Sequence, residues 1–317
     1  MGLSRILGCS LLGLAGVGAC VAALTAASAA TSRPKAETSG RAETTLWFGG
    51  DVNLGEHPRD IFAPLSQILK GEAGIVNLEG PVAFHFPAGA GLKLVNAPSG
   101  LGYLRTAGVR VATIANNHAS DAGPHGMEET AEALRQSRLV AAGGPAGAGV
   151  VRVRDWLIVV AAYDLTPGVP KDLAGSLRAA RERADVLVAS FHVTGPDSYL
   201  PRPELRKAVA IALKAGARII VAHGTHAIGP VERRDDAVIA WGLGNLAFSC
   251  DCTKEHEGVL LRVNLSDDEP LRATVIPIAA GLLGEPTRLA EDPKGTFDLL
   301  AAIGSSKLER RGAEADF

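Results

Sequence analysis

The sequence predicts an α/β protein in which two β-sheets face each other with helices outside, and three observations lead there. Through the first two thirds of the chain, short apolar runs alternate with helical patterns, the βαβ alternation of sheets covered by helices. The last third changes to closely spaced β-runs with short loops, which implies antiparallel additions that a single doubly wound sheet accommodates poorly. Finally, apolar runs end repeatedly in polar residues. Asp51 follows TLWFGG, Glu79 follows GIVNL, Asn116, Asn117 and His118 follow VRVATIA, His192 follows ADVLVASF, and His223 with His226 follows ARIIVA. Five strands thus carry polar groups toward one rim.

Taken in order, residues 44–50 read as a strand, 59–70 as a helix, 74–78 as a strand, 98–107 as a helix, 109–115 as a strand and 125–138 as a helix. In the last of these, Met127, Ala131, Leu134 and Arg138 fall at helical spacing, and Glu128, Glu129 and Glu132 suit the positive end of the helix dipole. The glycine-rich break AAGGPAGAG precedes strands 150–154 and 156–163, a helical stretch 171–183 and strand 185–191. Helix 203–215 closes at Gly216, a residue suited to a C-terminal cap. Strands 217–222, 228–233, 237–242, 257–265 and 271–278 follow, and the domain is read as residues 44–303. The remaining residues, 304–317, have little to bury and are expected to fray.

A chain of 317 residues with 47% apolar content can bury a large core, and its net charge of -2 with interspersed signs excludes a general nucleic-acid surface. Residues 1–30 read as an export signal: Arg5 in a short basic start, an apolar run from Ile6 to about Thr25, and the small residues Ala27, Ser28 and Ala29. Cleavage after Ala29, lipidation of Cys20 in VGAC, and retention as a membrane anchor are the three fates this composition allows. Each places the domain outside the cytoplasm. Residues 31–43 lack hydrophobic periodicity and read as a flexible tether. Beyond the export segment only Cys250 and Cys252 remain, which are read as free thiols, a local disulfide or a metal contact.

The rim residues carry the chemistry. Asp51 in FGGDVNLGE presents a carboxylate, and Asn53 two residues on can add a carbonyl oxygen or brace the loop. Glu79 has two oxygens able to bridge cations, with Asn77 on the same side of its strand by period two. Asn117 offers an amide oxygen to a hard or borderline metal, and His118 a proton to a leaving group. Asp121, three residues later, is placed to hydrogen-bond that imidazole and keep it protonated. His192, His223 and His226 supply neutral imidazoles suited to Zn, Fe, Mn or Ni.

Six ordered motifs resemble one family: GDVNLG at 50–55, NLEGPV at 77–82, ANNHASDAG at 115–123, His192, AHGTHAIGPVE at 222–232, and WGLGNLAF at 241–248. Together they look like the CapA family of poly-gamma-glutamate capsule synthesis, within the calcineurin-like metallophosphatase superfamily. The resemblance implies a four-layer αββα sandwich and two divalent cations, Mn, Zn or Fe: Asp51 and His226 on one, Asn117, His192 and His223 on the other, and Glu79 bridging. It also implies His118 as general acid. Implied partners are an amide-linked polyanion such as poly-gamma-glutamate and a membrane-bound polymer synthase. Asn53 stands where the superfamily has a histidine, Glu79 where it has an aspartate, and HVTG at 192–195 where the family has HWG and a glutamate. Three functions follow as expectations: an exported metal-dependent hydrolase, a non-catalytic accessory or anchoring protein of polymer synthesis, and a phosphoesterase.

Overall fold

The computed structural model describes residues 40–69, 73–84, 92–195, 198–250, 252–253 and 256–317. The export segment and residues 31–39 of the tether therefore lie outside the described residues. Residues 40–43, expected within the flexible tether, are held down against the domain. The Arg41 guanidinium lies 3.9 Å from the Trp156 ring centroid and 2.6 Å from Asp185, and the Trp156 indole donates to the Ala42 carbonyl at 2.9 Å.

The chain first lays down parallel strands β1 (Thr44–Asn53), β2 (Ala73–Leu78), β3 (Val109–Thr113) and β4 (Val140–Ala142), with helices α1 (Leu101–Thr106) and α2 (Gly126–Gln136) between them. A second sheet follows from β5 (Gly149–Val153), β6 (Trp156–Asp164), β7 (Val186–His192), β8 (Ile219–His223), β9 (Val231–Arg234) and β10 (Ala237–Ala240). Its spatial order is β5-β6-β7-β8-β10-β9, with α3 (Leu173–Arg181) and α4 (Pro203–Lys214) as crossovers. The chain then returns to the first sheet through β11 (Asn245–Phe248), β12 (Glu257–Leu265) and β13 (Arg272–Ala279). Short strands β14 (Gly281–Leu282) and β15 (Arg288–Leu289), helix α5 (Pro293–Ala302), and strands β16 (Glu309–Arg311) and β17 (Glu314–Asp316) complete it. The main path of that sheet runs β16-β17-β13-β12-β1-β2-β3-β4, with β11 beside β1. Both sheets are mixed, as expected.

Strand alternation assembles the layers. Leu46, Phe48, Ile75 and Val111 of the first sheet share one core with Ile158, Val160, Val188 and Val221 of the second. Their neighbours Trp47, Val76 and Ala112 point the other way, onto Leu101 and Leu104 of α1 and Leu134 of α2. On the second sheet Val159, Leu187, Ala189 and Ile220 meet Leu177 of α3 and Val209 of α4. Period two thus yields helix, sheet, sheet, helix, with both faces of each central strand apolar.

Three expectations are corrected. The helix expected over 59–70 reduces to a 3-10 turn at Ala63–Leu65, because Pro64 has no N–H for an α-helical bond. The strand expected at 228–233 begins at Val231, after Gly229 and Pro230, although Ile228 bridges Leu243. The tail expected to fray forms the β16-β17 hairpin, whose second strand pairs with β13 and buries Ala315 fully. That strand finds a free sheet edge, which composition does not reveal.

Candidate metal centre

β1 runs past the predicted end at Gly50 to Asn53, with a register irregularity toward β2 between Phe48 and Asp51. Gly50 is required by close approach: a Cβ there would lie 1.9 Å from the Gly244 carbonyl oxygen, which accepts from the Asp51 N–H at 3.0 Å. Asp51 stands opposite Asn77 of β2, and Asp164, His192 and His223 stand side by side across β6, β7 and β8. The carboxyl ends of both sheets therefore meet at one place, the usual location of sites in open α/β folds.

There Asp51 and Glu79 are each 1% exposed, and His192 and His223 are buried with them. Ligand atoms of Asp51, Glu79 and His192 lie within 4.8 Å of one another. His223 Nδ1 is 3.5 Å and His226 Nδ1 3.2 Å from Asp51, while His226 Nε2 is 3.8 Å from Glu79. His192 Nε2 lies 2.7 Å from the Asn117 Oδ1 atom at the exposed rim. The six residues that the motifs nominated converge.

His223 and His226 are aimed by the turn between them. Gly224 has φ +91°, donates its N–H to Asp51 at 3.1 Å, and leaves room for His192, whose Nε2 would lie 2.6 Å from a Cβ at 224. His226 adopts φ +54°, a conformation that costs a non-glycine residue about 1 kcal/mol and persists where surroundings impose it. Its ring is held by Asn245 Oδ1 at 3.0 Å and meets Phe248 edge-on at 5.0 Å.

The electrostatics suit the cluster to a cation. Burial, with the charge of Asp51 beside it, pushes Glu79 up to about 8. Burial alone raises Asp51, yet His223 and His226 outweigh it and hold that carboxyl well below its ordinary range. Burial lowers His226, but Asp51 and Glu79 outweigh it and raise the imidazole to about 9. Burial leaves His192 at about 3, a neutral nitrogen donor at physiological pH. Glu79 Oε2 is buried with no hydrogen-bond partner, and His223 Nδ1 has only the Asp51 carboxylate, at 3.5 Å and without a well-formed hydrogen bond. Each such atom costs about 1–3 kcal/mol and is rare in native proteins. A cation seated among them relieves both and neutralises the paired carboxylates, so the residues present fit a metal ion.

The surroundings sort the remaining nominations. Asn77 donates to Asp51 at 2.8 Å and is 3.4 Å from His192 Nδ1. Asn53 donates to the Glu79 carbonyl at 2.9 Å, and its own oxygen accepts from Ser249. Both braces are internal. Asn116 holds the same turn through the Leu78 carbonyl at 2.9 Å. His118 pairs with Asp121 at 2.7 Å, and Asp121 also accepts from the Leu94 N–H at 2.8 Å. Sequence reading missed Asn96, which donates at 2.9 Å to both the Glu79 and Gly80 carbonyls, and the part of Asn245 in seating His226. Asn245 lies within WGLGNLAF and was legible as a motif; Asn96 sits in a loop with no pattern. Cys250 and Cys252 form a disulfide, so among the described residues no free thiol remains for a metal.

Fold and site together define a metallophosphatase-like α/β sandwich with a buried Asp, Glu and His cluster able to hold a metal ion. The family described as bacterial capsule synthesis protein PGA_cap matches residues 45–160 and 159–249, and the chain belongs to that family. Over 280 residues it is 25% identical to the PGA biosynthesis protein CapA of Bacillus subtilis (strain 168), across 77% of this chain and 74% of the relative. Over 276 residues it is 24% identical to the capsule biosynthesis protein CapA of Bacillus anthracis, across 74% and 67% respectively. Among the described residues no helix is long and apolar enough to cross a membrane.

Proposed function

We propose that this protein is an exported metal-dependent hydrolase acting in the synthesis or processing of poly-gamma-glutamate or a related capsule polymer. The observation that carries this reading is the buried pairing of Asp51 with Glu79, whose second oxygen has no partner, at the meeting of both sheets. Asp51, His226 and Glu79 would hold one divalent cation, and Asn117, His192 and His223 with Glu79 a second, of Mn, Zn or Fe. Such a pair supplies an activated water and charge stabilisation. The protein's own part is positional: Asn77 orients Asp51, Asn53 and Asn96 fix the Glu79 turn, and Asn245 fixes His226. His118, oriented by Asp121, donates the proton that the departing nitrogen or oxygen needs. Attachment near the membrane through residues 1–30, beside a polymer synthase, completes the proposal.

The test is turnover by purified protein supplied with Mn, Zn or Fe, against a γ-linked glutamate polymer and a phosphoester. Polymer cleavage lost in His118→Ala and Glu79→Ala supports the reading, and activity retained in both variants rejects the site. A second reading, polymer binding without turnover in an accessory protein, is favoured by Asn53, whose oxygen is spent on Ser249 instead of facing the cluster. Metal-free protein that binds polymer equally with and without chelator supports it.

A further inference from the structure

Beside the metal centre lies a pocket of about 300 Å³, lined by Asn53, Leu54, Ile61 and Phe248, with Glu56 and Arg59 around it. It shares a wall with the centre: Asn53 donates to the Glu79 carbonyl and Phe248 packs edge-on against His226. The floor is apolar, since Leu54 and Ile61 are each 5% exposed and Phe248 1%. Leu283, 63% exposed with φ +51°, is tied to this wall by its N–H to the Phe248 carbonyl at 2.8 Å.

Two charges of opposite sign line this space without meeting. Among the described residues neither Glu56 nor Arg59 makes an ion pair or a side-chain hydrogen bond. One cation, one anion and an apolar floor in a small pocket complement a zwitterionic ligand with a short methylene stem.

We propose that this pocket receives the amino-terminal residue of a γ-linked glutamate chain. That residue keeps its α-carboxylate for Arg59 and its α-ammonium for Glu56, lays two methylenes on Leu54 and Ile61, and ends in the γ-amide that leads toward the neighbouring centre. The ligand rests on the polymer reading above, while the pocket's preference for a zwitterionic head rests on Glu56 and Arg59 alone. Such a subsite makes the protein read chain ends, not chain interiors.

The experiment measures equilibrium binding of γ-glutamyl-glutamate to the full chain with chelator present, so neither metal nor turnover enters. Two blocked probes accompany it: the same dipeptide N-acetylated, and with its amino-terminal α-carboxylate converted to an amide. Each block is expected to weaken binding about tenfold, the worth of one charge-assisted hydrogen bond. Arg59→Gln should erase discrimination against the amide alone, and Glu56→Gln discrimination against the acetyl group alone. Both positions are exposed, so neither change threatens folding. Failure of the unmodified dipeptide to bind, equal binding of blocked probes, or variants that discriminate like wild type would each overturn the subsite. Discrimination as expected in a protein that cleaves no polymer with any metal keeps the subsite and removes the hydrolase instead.

Discussion

Replacing Glu79 by Gln changes one buried carboxyl into an amide of nearly the same shape, and two opposed effects follow. In metal-free protein Glu79 is held at about 8, against an ordinary 4.5, by burial and by Asp51. A raised acid binds its proton more tightly folded than unfolded. Its contribution is whole below about 4.5 and disappears as pH climbs to about 8. At roughly 1.4 kcal/mol per unit of pKa, the metal-free wild type gives up on the order of a few kcal/mol across that window. Glu79→Gln has nothing to titrate there, so above pH 8 the metal-free variant should unfold at a higher temperature than the wild type. Metal acts in the opposite direction. At a hundred times its dissociation constant a cation adds about 2.7 kcal/mol to the wild type, a rise of roughly 5–10 °C for a domain of this size. The variant, lacking the carboxylate whose free oxygen faces the cluster, should gain little. Thermal unfolding at pH 5 and pH 9, with chelator and with Mn or Zn, reads all four states. A variant stabilised by metal as strongly as the wild type, or no more stable than it when metal-free at pH 9, would refute the reasoning.

Metal uptake should also expel protons, because Glu79 near 8 and His226 near 9 both hold one at neutral pH and must release it to ligate. Affinity should climb with pH to about 9, and calorimetry in buffers of different ionisation enthalpy counts the protons; a pH-independent affinity contradicts the assignment. Gly224→Ala carries both a backbone cost at φ +91° and a clash with His192, whereas Gly304→Ala has a similar φ of +95° with nothing within 4 Å. Both should lose about 1–2 kcal/mol of stability, but only the first should lose tenfold or more in metal affinity. In a turnover assay His118→Ala should reduce kcat by about 10²–10⁴, and Asp121→Asn, which keeps the imidazole but removes the carboxylate that orients it, should reduce it less. Unchanged turnover in Asp121→Asn would separate that carboxylate from the proton donor.

Sequence by itself determined the layers and the nominees. Short continuous apolar runs such as VLVASF and RIIVA, rich in β-branched residues and set between helical patterns, read as strands buried on both faces, and their polar ends are written in the same letters. Which ends meet was not written there, because Asp51 and His223 are 172 positions apart and come together through packing of two separate sheets. Tertiary structure also decided what each amide does: Asn53 and Asn77 look equally able to ligate, yet one is spent bracing Glu79 and the other Asp51. The same holds for the tail, whose polar letters gave no hint that β13 had an edge to receive it. Local patterns fix what a segment can become, while long-range contacts, whose cost and reward depend on the whole fold, choose its neighbours.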